Sequence, residues 1–160
     1  LLIERPVSKG DWIEVGGLMG YVRDISVRST RIETFDRTDV IVPNSDLISG
    51  TVTNYTRGNT VGRLIVPVGV AYGSDYALVK DLLLKAARSH PRCMTDPRPG
   101  CYMREFADSS VNFRLQFWLE DVIEGRLAPQ HDVMLEITRL FDEHHIDIPF
   151  PQRDVNLKPV

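Results

Sequence analysis

Residues 9–22 read KGDWIEVGGLMGYV, and this stretch decides the fold of the N-terminal part. Side chains alternate over Trp12–Val15, which is the period of a β-strand with one buried face. Gly16-Gly17 follows as a two-residue turn, and Leu18–Ser26 resumes an extended pattern. Gly20 lies inside that second run, where a glycine is typical of a bend or a bulge. The stretch therefore predicts a tight β-hairpin.

Three further runs with β-type composition follow this hairpin within residues 1–60. They are Val27–Phe35, Val40–Val42 and Gly50–Tyr55. Five short, curled strands in so few residues predict a small, partly closed β-barrel of the Sm-like type.

The sequence Pro43-Asn44-Ser45 is predicted to end the fourth strand. Pro43 cannot donate a hydrogen bond to the ladder. Asn44 or Ser45 is predicted to cap one helical turn that leads to the fifth strand.

Residues 61–160 follow a different pattern and predict a second, α/β domain of the ferredoxin-like β-α-β-β-α-β type. Its first strand is almost continuously apolar, which predicts burial on both faces. The first helix is predicted to be capped by Ser74-Asp75 and to stop at His90-Pro91. The predicted elements are, in order, Leu64–Val70, a helix from Ser74, Cys101–Phe106, Val111–Leu119, a helix over Arg126–His145, and Val155–Leu157.

The charge of the chain argues against a nucleic-acid partner. The net charge is −3, and residues 1–60 carry seven basic and eight acidic side chains, a local net of −1. A surface that binds a polyanion is normally strongly basic. Aromatic residues such as Trp12, Tyr21, Phe35 and Tyr55 are scattered along the sequence, and core or interface roles are favoured for them over base stacking.

No cofactor, metal or catalytic residue is predicted. The loop from Gly16 to Gly20 leads into a strand, whereas a phosphate-binding loop leads into a helix. The cluster Asp142–His145 falls at the end of an amphipathic helix, where polar side chains face water. Asp108-Ser109-Ser110 has no histidine nearby in sequence to act as a base, so it is predicted to be a turn. Cys93 and Cys101 are predicted to be reduced thiols of a cytosolic compartment.

The start of the chain predicts a fragment. It begins without Met at Leu1-Leu2-Ile3 and becomes charged at Glu4-Arg5. No apolar run approaches the ~20 residues that span a bilayer. Leu1–Ile3 is therefore predicted to be the end of an apolar segment that lies upstream.

Six short segments, taken in order, resemble the small-conductance mechanosensitive channel (MscS) family across the whole chain. They begin with Arg5-Pro6 and the run from Lys9 to Gly17, and they end with the run from Phe141 to Gln152. The residues that mark turns and family motifs are Pro6, Gly10, Asp11, Gly16, Gly17, Gly20, Arg28, Thr30, Pro43, Asn44, Ser45, Asn54, Tyr55, Ser109, Ser110, Pro149 and Pro151.

The resemblance implies the cytoplasmic part of a bacterial inner-membrane channel. Pro6 would be the exit from the pore-lining helix, residues 1–60 the β domain and residues 61–160 the α/β domain. Identical subunits would form a homoheptameric cage whose C-terminal strands close a small barrel. Such a channel opens under membrane tension and releases ions and osmolytes during hypo-osmotic shock.

Two other functions stay open at this stage. The ferredoxin-like domain is compatible with a ligand-sensing regulatory role in a channel of this family. A ring-forming RNA-binding barrel would need a basic face, which the charge balance of residues 1–60 does not provide.

Overall fold

A computed structural model describes residues 5–160 of the chain. The chain divides into two compact units, Leu1–Val61 and Gly62–Val160. The first contains an antiparallel β-sheet and one short helix, and the second contains a smaller antiparallel sheet and two long helices. None of the helices within the described part is long and apolar enough to cross a bilayer.

The first unit is a five-stranded sheet with the strand order β4-β3-β2-β1-β5. Its elements are β1 (Trp12–Val15), β2 (Leu18–Ile25), β3 (Ser29–Glu33), β4 (Asp39–Pro43), α1 (Asn44–Ser49) and β5 (Val52–Asn54). All pairs are antiparallel, and within residues 5–160 the end strands β4 and β5 do not pair with each other. The core consists of Val7, Ile13, Val15, Val22, Ile32, Val42 and Leu47. The sheet therefore packs on a small aliphatic core, and within the described residues its end strands β4 and β5 each have one unpaired edge.

The hairpin between β1 and β2 forms as predicted. Gly16 and Gly17 have φ angles of 55° and 79°, which is the left-handed pair that a two-residue hairpin turn requires. The bend or bulge predicted at Gly20 does not lie at that residue. It pairs in register with Ile13, and the irregularity of β2 lies between Val22 and Asp24.

The predicted capping of this helical turn by Asn44 or Ser45 is wrong for the observed helix α1. It is six residues long, Pro43 occupies the N-cap position, and no side chain caps the helix. Asn44 lies inside the helix, where its side chain makes other contacts.

The second unit is a three-stranded antiparallel sheet with the order β6-β8-β7. Its elements are β6 (Gly62–Val70), α2 (Tyr76–Ser89), β7 (Gly100–Phe106), β8 (Val111–Leu119), a 3₁₀ turn (Val122–Glu124) and α3 (Leu127–Glu143). The predicted burial of β6 on both faces is wrong. Leu64, Val66, Val68 and Val70 are buried, but the residues between them are exposed or half-buried, because the helices cover only one face.

The two long helices begin and end where local sequence predicts. Asp75 caps α2 by accepting a hydrogen bond from the Leu78 backbone N–H, and the helix ends before Pro91. Pro129 lies in the first turn of α3, where its missing N–H leaves no helical bond unmade.

The last predicted strand does not form in the described chain. Residues 144–160 contain no strand, and residues 150–160 are all exposed. A strand at Val155–Leu157 needs a partner for its N–H and C=O groups, and none of the described residues supplies one. The mixed β and α/β fold class is nevertheless confirmed, since β6-α2-β7-β8-α3 follows the ferredoxin-like order up to that last edge strand.

Candidate functional site: three polar joints

The sequence motifs meet in three hydrogen-bonded joints and not in a catalytic cluster. No group of three or more His, Cys, Asp or Glu residues within residues 5–160 is arranged to hold a metal ion. The cluster Asp142–His145 covers the end of α3, where His145 adopts a left-handed φ of 56° as the chain leaves the helix. Asp108-Ser109-Ser110 forms the turn between β7 and β8.

The N-terminal joint consists of Pro6, Asp11, Asn54 and Thr56. The Asn54 amide donates to the Pro6 carbonyl at 3.1 Å and to the Asp11 carboxylate at 2.8 Å. The Thr56 hydroxyl donates to the other Asp11 carboxylate oxygen at 3.1 Å. Charge-assisted bonds of this kind are stronger than neutral ones, so the joint fastens the segment before β1 to the end of β5.

Two further bonds complete the N-terminal joint. The Ser8 backbone N–H donates to the Asp11 carboxylate at 2.8 Å, which closes a tight loop. The Gly10 backbone N–H donates to the Val22 carbonyl at 2.7 Å. Residues 6–11 are therefore tied to β2 as well as to β5.

The Asn44 joint connects the loop before β3 with the start of α1. The Asn44 amide donates to the carbonyls of Ser26 and Val27 at 2.9 and 3.2 Å. The hydroxyl of Thr30, which is fully buried, donates to the Asn44 side-chain oxygen at 2.7 Å. The Asn44 backbone N–H donates to the Arg28 carbonyl at 2.9 Å. Asn44 thus satisfies a buried hydroxyl, and this explains an asparagine here better than helix capping does.

The neighbouring Ser45 has a smaller role. It is exposed, and its backbone carbonyl accepts a hydrogen bond from the Ser49 hydroxyl at 2.7 Å. Pro43 ends β4 with a φ of −57°, which is the ring-fixed value.

A cavity of about 380 Å³ lies between these two joints in the first unit. Its wall is mainly apolar; Thr30 and Asn44 of the Asn44 joint contribute polar groups to it, and the N-terminal joint contributes Pro6. It is lined by Arg5, Pro6, Val7, Ile25, Ser26, Val27, Thr30, Asn44, Leu47 and Ile48.

Four aromatic residues that are scattered in sequence form one cluster in the first unit. Trp12 is buried, and its ring lies 5.1, 5.7 and 6.2 Å from the rings of Tyr55, Phe35 and Tyr21. The Tyr55 hydroxyl donates to the Glu14 carboxylate at 2.9 Å. Sequence reasoning missed this cluster, although the pairing of Trp12 with Tyr21 across the predicted hairpin was the available signal.

The C-terminal joint holds the chain that follows α3 against the end of the second sheet. The Ala71 backbone N–H donates to the Asp147 carbonyl at 2.9 Å, and the Gln152 backbone N–H donates to the Ser109 hydroxyl at 3.0 Å. Ser110 donates to the Asn112 side chain at 2.8 Å. Pro149 and Pro151 lie between these two attachment points, at positions where no backbone N–H is needed as a hydrogen-bond donor.

A fourth polar group, missed from sequence, joins the end of α2 to α3. The Arg92 backbone N–H donates to His90 Nδ1 at 3.1 Å. His90 Nε2 therefore carries the proton of the neutral ring and donates to Asp132 at 2.9 Å. The Arg92 guanidinium donates to the carbonyls of Asp121 and Gly125.

The two cysteines are free thiols. Burial raises the pKa of the Cys101 thiol to about 11, and the positive charge of Lys80 offsets this only in part. Burial also raises the pKa of Cys93 above its ordinary value. Both cysteines are therefore poor nucleophiles at neutral pH, since the thiolate is the reactive form.

Two family models match the chain, one to each unit. The β-domain of mechanosensitive ion channels matches residues 1–57, and the C-terminal domain of the mechanosensitive ion channel MscS matches residues 64–148. The chain belongs to the MscS family of mechanosensitive ion channels. The family predicted from the sequence motifs is therefore confirmed, and it is a family of channels and not a known enzyme family.

Individual MscS-family proteins match over nearly the whole chain. An uncharacterised MscS family protein of Haemophilus influenzae is 42% identical over 158 residues, which are 99% of this chain and 14% of that protein. The mechanosensitive channel MscK of Escherichia coli is 36% identical over 98% of this chain and 14% of its own length. The chain thus spans about one seventh of these two relatives.

A solved structure of the family has the same fold. The crystal structure of Helicobacter pylori MscS in its closed state superimposes with a TM-score of 0.88 at 26% identity, covering 99% of this chain and 62% of that one.

Proposed function

We propose that this chain forms the cytoplasmic vestibule of a mechanosensitive channel in a bacterial inner membrane. The channel opens under membrane tension and releases ions and osmolytes during hypo-osmotic shock. Family membership supports this role, and the observation that carries it is the N-terminal joint. The chain acts without enzymatic chemistry of its own.

The N-terminal joint gives the β unit a way to receive force. Pro6 is where a pore-lining helix would end, and its carbonyl is bonded to Asn54 of β5. Asp11, which accepts from Ser8, Asn54 and Thr56, holds the same segment to the start of β1. A displacement of residue 6 is thereby passed to the sheet and not absorbed by a loose linker.

The subunits assemble into a homoheptamer through surfaces that a single chain leaves unpaired. The strands β4 and β5 have free edges within the described chain, and free edges favour pairing with another chain. Val27 and Ile48 border the apolar cavity and are 95% and 71% exposed. Residues 153–160 follow the C-terminal joint with every side chain exposed, and we expect them to pair with the same segment of other subunits.

A chimaera tests the channel role. This chain replaces the 157 matched residues of Escherichia coli MscK, and patch-clamp recording measures the tension that opens the channel. We expect tension-gated currents from the chimaera and a higher opening tension for its Asn54→Ala variant, because the link to Pro6 is lost. The matched control is Asn59→Ala, whose side chain makes one local bond to the Val61 N–H.

Two results would contradict the proposal. A chimaera that reaches the membrane and assembles but gives no tension-gated current would exclude the channel role of this chain. A working chimaera in which Asn54→Ala and Asn59→Ala open at the same tension would exclude force transfer through the N-terminal joint.

Amide hydrogen exchange tests the assembly. In dilute solution of the 160-residue chain, residues 155–160 should exchange rapidly, because none of their N–H groups has a hydrogen-bond partner among residues 5–160. Their exchange should slow as concentration rises and the ring forms. Strong protection in a monomer verified by light scattering would show that the segment is paired within its own subunit.

A further inference from the structure

The second sheet has an open face opposite its two helices, and this face has a concave region. The concavity has a volume of about 390 Å³, within the range of small-ligand sites. Its polar lining comes from Arg104, Glu105, Asn112 and Arg114, and its apolar lining includes Ile65 and Pro67. All of these residues belong to the second unit.

A β-bulge builds this concavity. The pairing of β7 with β8 shifts between Met103 and Glu105, so that Arg104 is an extra residue on β7. A bulge bends its strand and redirects the side chains around it. Here it allows the consecutive residues Arg104 and Glu105 to line the same concavity as Arg114.

The two arginines have no acidic partner in the part of the chain that the structure describes. The Nε atom of Arg114 is buried and has no hydrogen-bond partner among the described residues. A buried donor without a partner is rare in folded proteins, and it indicates a missing acceptor. Other arginines of this chain do have acidic partners, as Arg139 does with Glu136 and Glu143.

The nearby carboxylate does not neutralise the site. Glu105 accepts a hydrogen bond from the Asn112 amide at 3.0 Å, and Asn112 in turn accepts one from the Ser110 hydroxyl at 2.8 Å. Two guanidinium groups and one carboxylate leave one positive charge beside a partly apolar wall.

We propose that this concavity binds a small anion that carries a carboxylate or a phosphate group. The planar guanidinium matches both groups because its parallel N–H donors fit two oxygens at once. Arg114 holds the anion from the floor of the sheet, Arg104 holds it from the bulge, and the apolar wall accepts a short carbon chain. The site would make the second unit a sensor of a cytoplasmic metabolite, and it does not depend on the force transfer proposed for the N-terminal joint.

Isothermal titration of the 160-residue chain tests the site, with sodium phosphate and sodium malonate as separate probes at constant ionic strength. We expect saturable binding of at least one probe, and the comparison distinguishes phosphate from carboxylate recognition. Arg114→Gln should weaken binding about tenfold or more, as expected for loss of a charged hydrogen bond. Arg114→Lys keeps the charge and should weaken it less. Arg98→Gln, at an exposed arginine outside the concavity, is the control and should leave binding within about twofold.

Each variant is first checked for folding by the thermal transition of tryptophan fluorescence in a Trp12→Phe background, in which Trp118 reports the second unit alone. If Arg114→Gln does not fold, Arg104→Gln takes its place, because that side chain is exposed. Absence of saturable binding of both probes to the unchanged chain would overturn the proposal. So would equal losses in the Arg98 and Arg114 variants, or a change of oligomeric state in Arg114→Gln without anion binding, which would make this face a contact between copies.

Discussion

Gly20 offers a sharp test of how the first sheet is packed. A Cβ atom added at this position would lie 2.5 Å from the Glu33 carbonyl oxygen and 2.7 Å from the Ile32 side chain. Ordinary contacts begin near 3.4 Å, so β2 and β3 would have to separate locally by about 0.9 Å. The nearest obstacle is backbone, which cannot rotate away as a side-chain end can.

We therefore expect Gly20→Ala to lower the free energy of unfolding of the first unit by about 1–3.5 kcal/mol. Overpacking of a core costs about 1–3 kcal/mol, and one weakened ladder hydrogen bond adds about 1 kcal/mol. The smaller entropy of the unfolded alanine chain offsets about 0.4–1 kcal/mol of this. Gly20→Val should cost more, because two further methyl groups meet the same strand.

Urea unfolding followed by tryptophan fluorescence measures this cost unit by unit. Trp12 lies in the first unit and Trp118 in the second, so a Trp118→Phe background reports the first unit alone. Gly100→Ala, measured in a Trp12→Phe background, is the matched control, since its nearest obstacle is the exposed Tyr102 ring at 3.0 Å. A Gly20→Ala cost below about 0.5 kcal/mol, the scatter of neutral surface changes, would refute the close-approach argument.

Three further outcomes follow from the joints and the buried thiol. Asn44→Ala should lower the free energy of unfolding by about 2–3 kcal/mol, because it leaves the buried Thr30 hydroxyl without its hydrogen-bond acceptor. Ser45→Ala should change the free energy of unfolding by less than about 0.5 kcal/mol. Equal effects of the two substitutions in urea titrations would favour helix capping as the role of both residues. As pH rises from 9 to about 11, the Cys101 thiol ionises in the unfolded chain before it does so in the folded chain. The free energy of unfolding should therefore fall by up to about 2 kcal/mol over that window, and by less in Cys101→Ala. If the free energy of unfolding depends on pH in the same way in both proteins, the raised pKa is contradicted. Ser109→Ala should speed amide exchange at Gln152 about fivefold while Ser45→Ala leaves it unchanged, and an unaltered rate in the Ser109 variant would show that the C-terminal joint does not hold this residue.

The features that sequence predicted correctly are those that neighbouring residues determine. Asp75 caps α2 because its acceptor lies three residues away, and Pro129 fits the first turn of α3 for reasons internal to the helix. Gly16-Gly17 specifies the hairpin through its own φ angles. The sequence also predicted the family correctly, because the order of the family motifs along the chain identified it.

The features that sequence missed depend on partners far away in the chain. Asn44 was predicted as a cap from its position, but its side chain contacts Thr30 and the loop before β3, and only the folded sheet brings them together. The aromatic cluster unites residues up to 43 positions apart, from Trp12 to Tyr55. The strand predicted at Val155–Leu157 has the right composition, but composition does not supply the neighbouring strand that a ladder needs.

The N-terminal joint also determines how this chain would fail under a pull. When a force loads hydrogen bonds one after another, each bond breaks at the force that a single bond resists. Here the Pro6 carbonyl, the Ser8 N–H and the Gly10 N–H are each held by a different group, on Asn54, Asp11 and Val22. A pull applied before Pro6 is thus shared by attachments to two strands, β5 through Asn54 and β2 through Val22, while the Ser8–Asp11 bond closes the loop between them; both strands are loaded before either one can peel away.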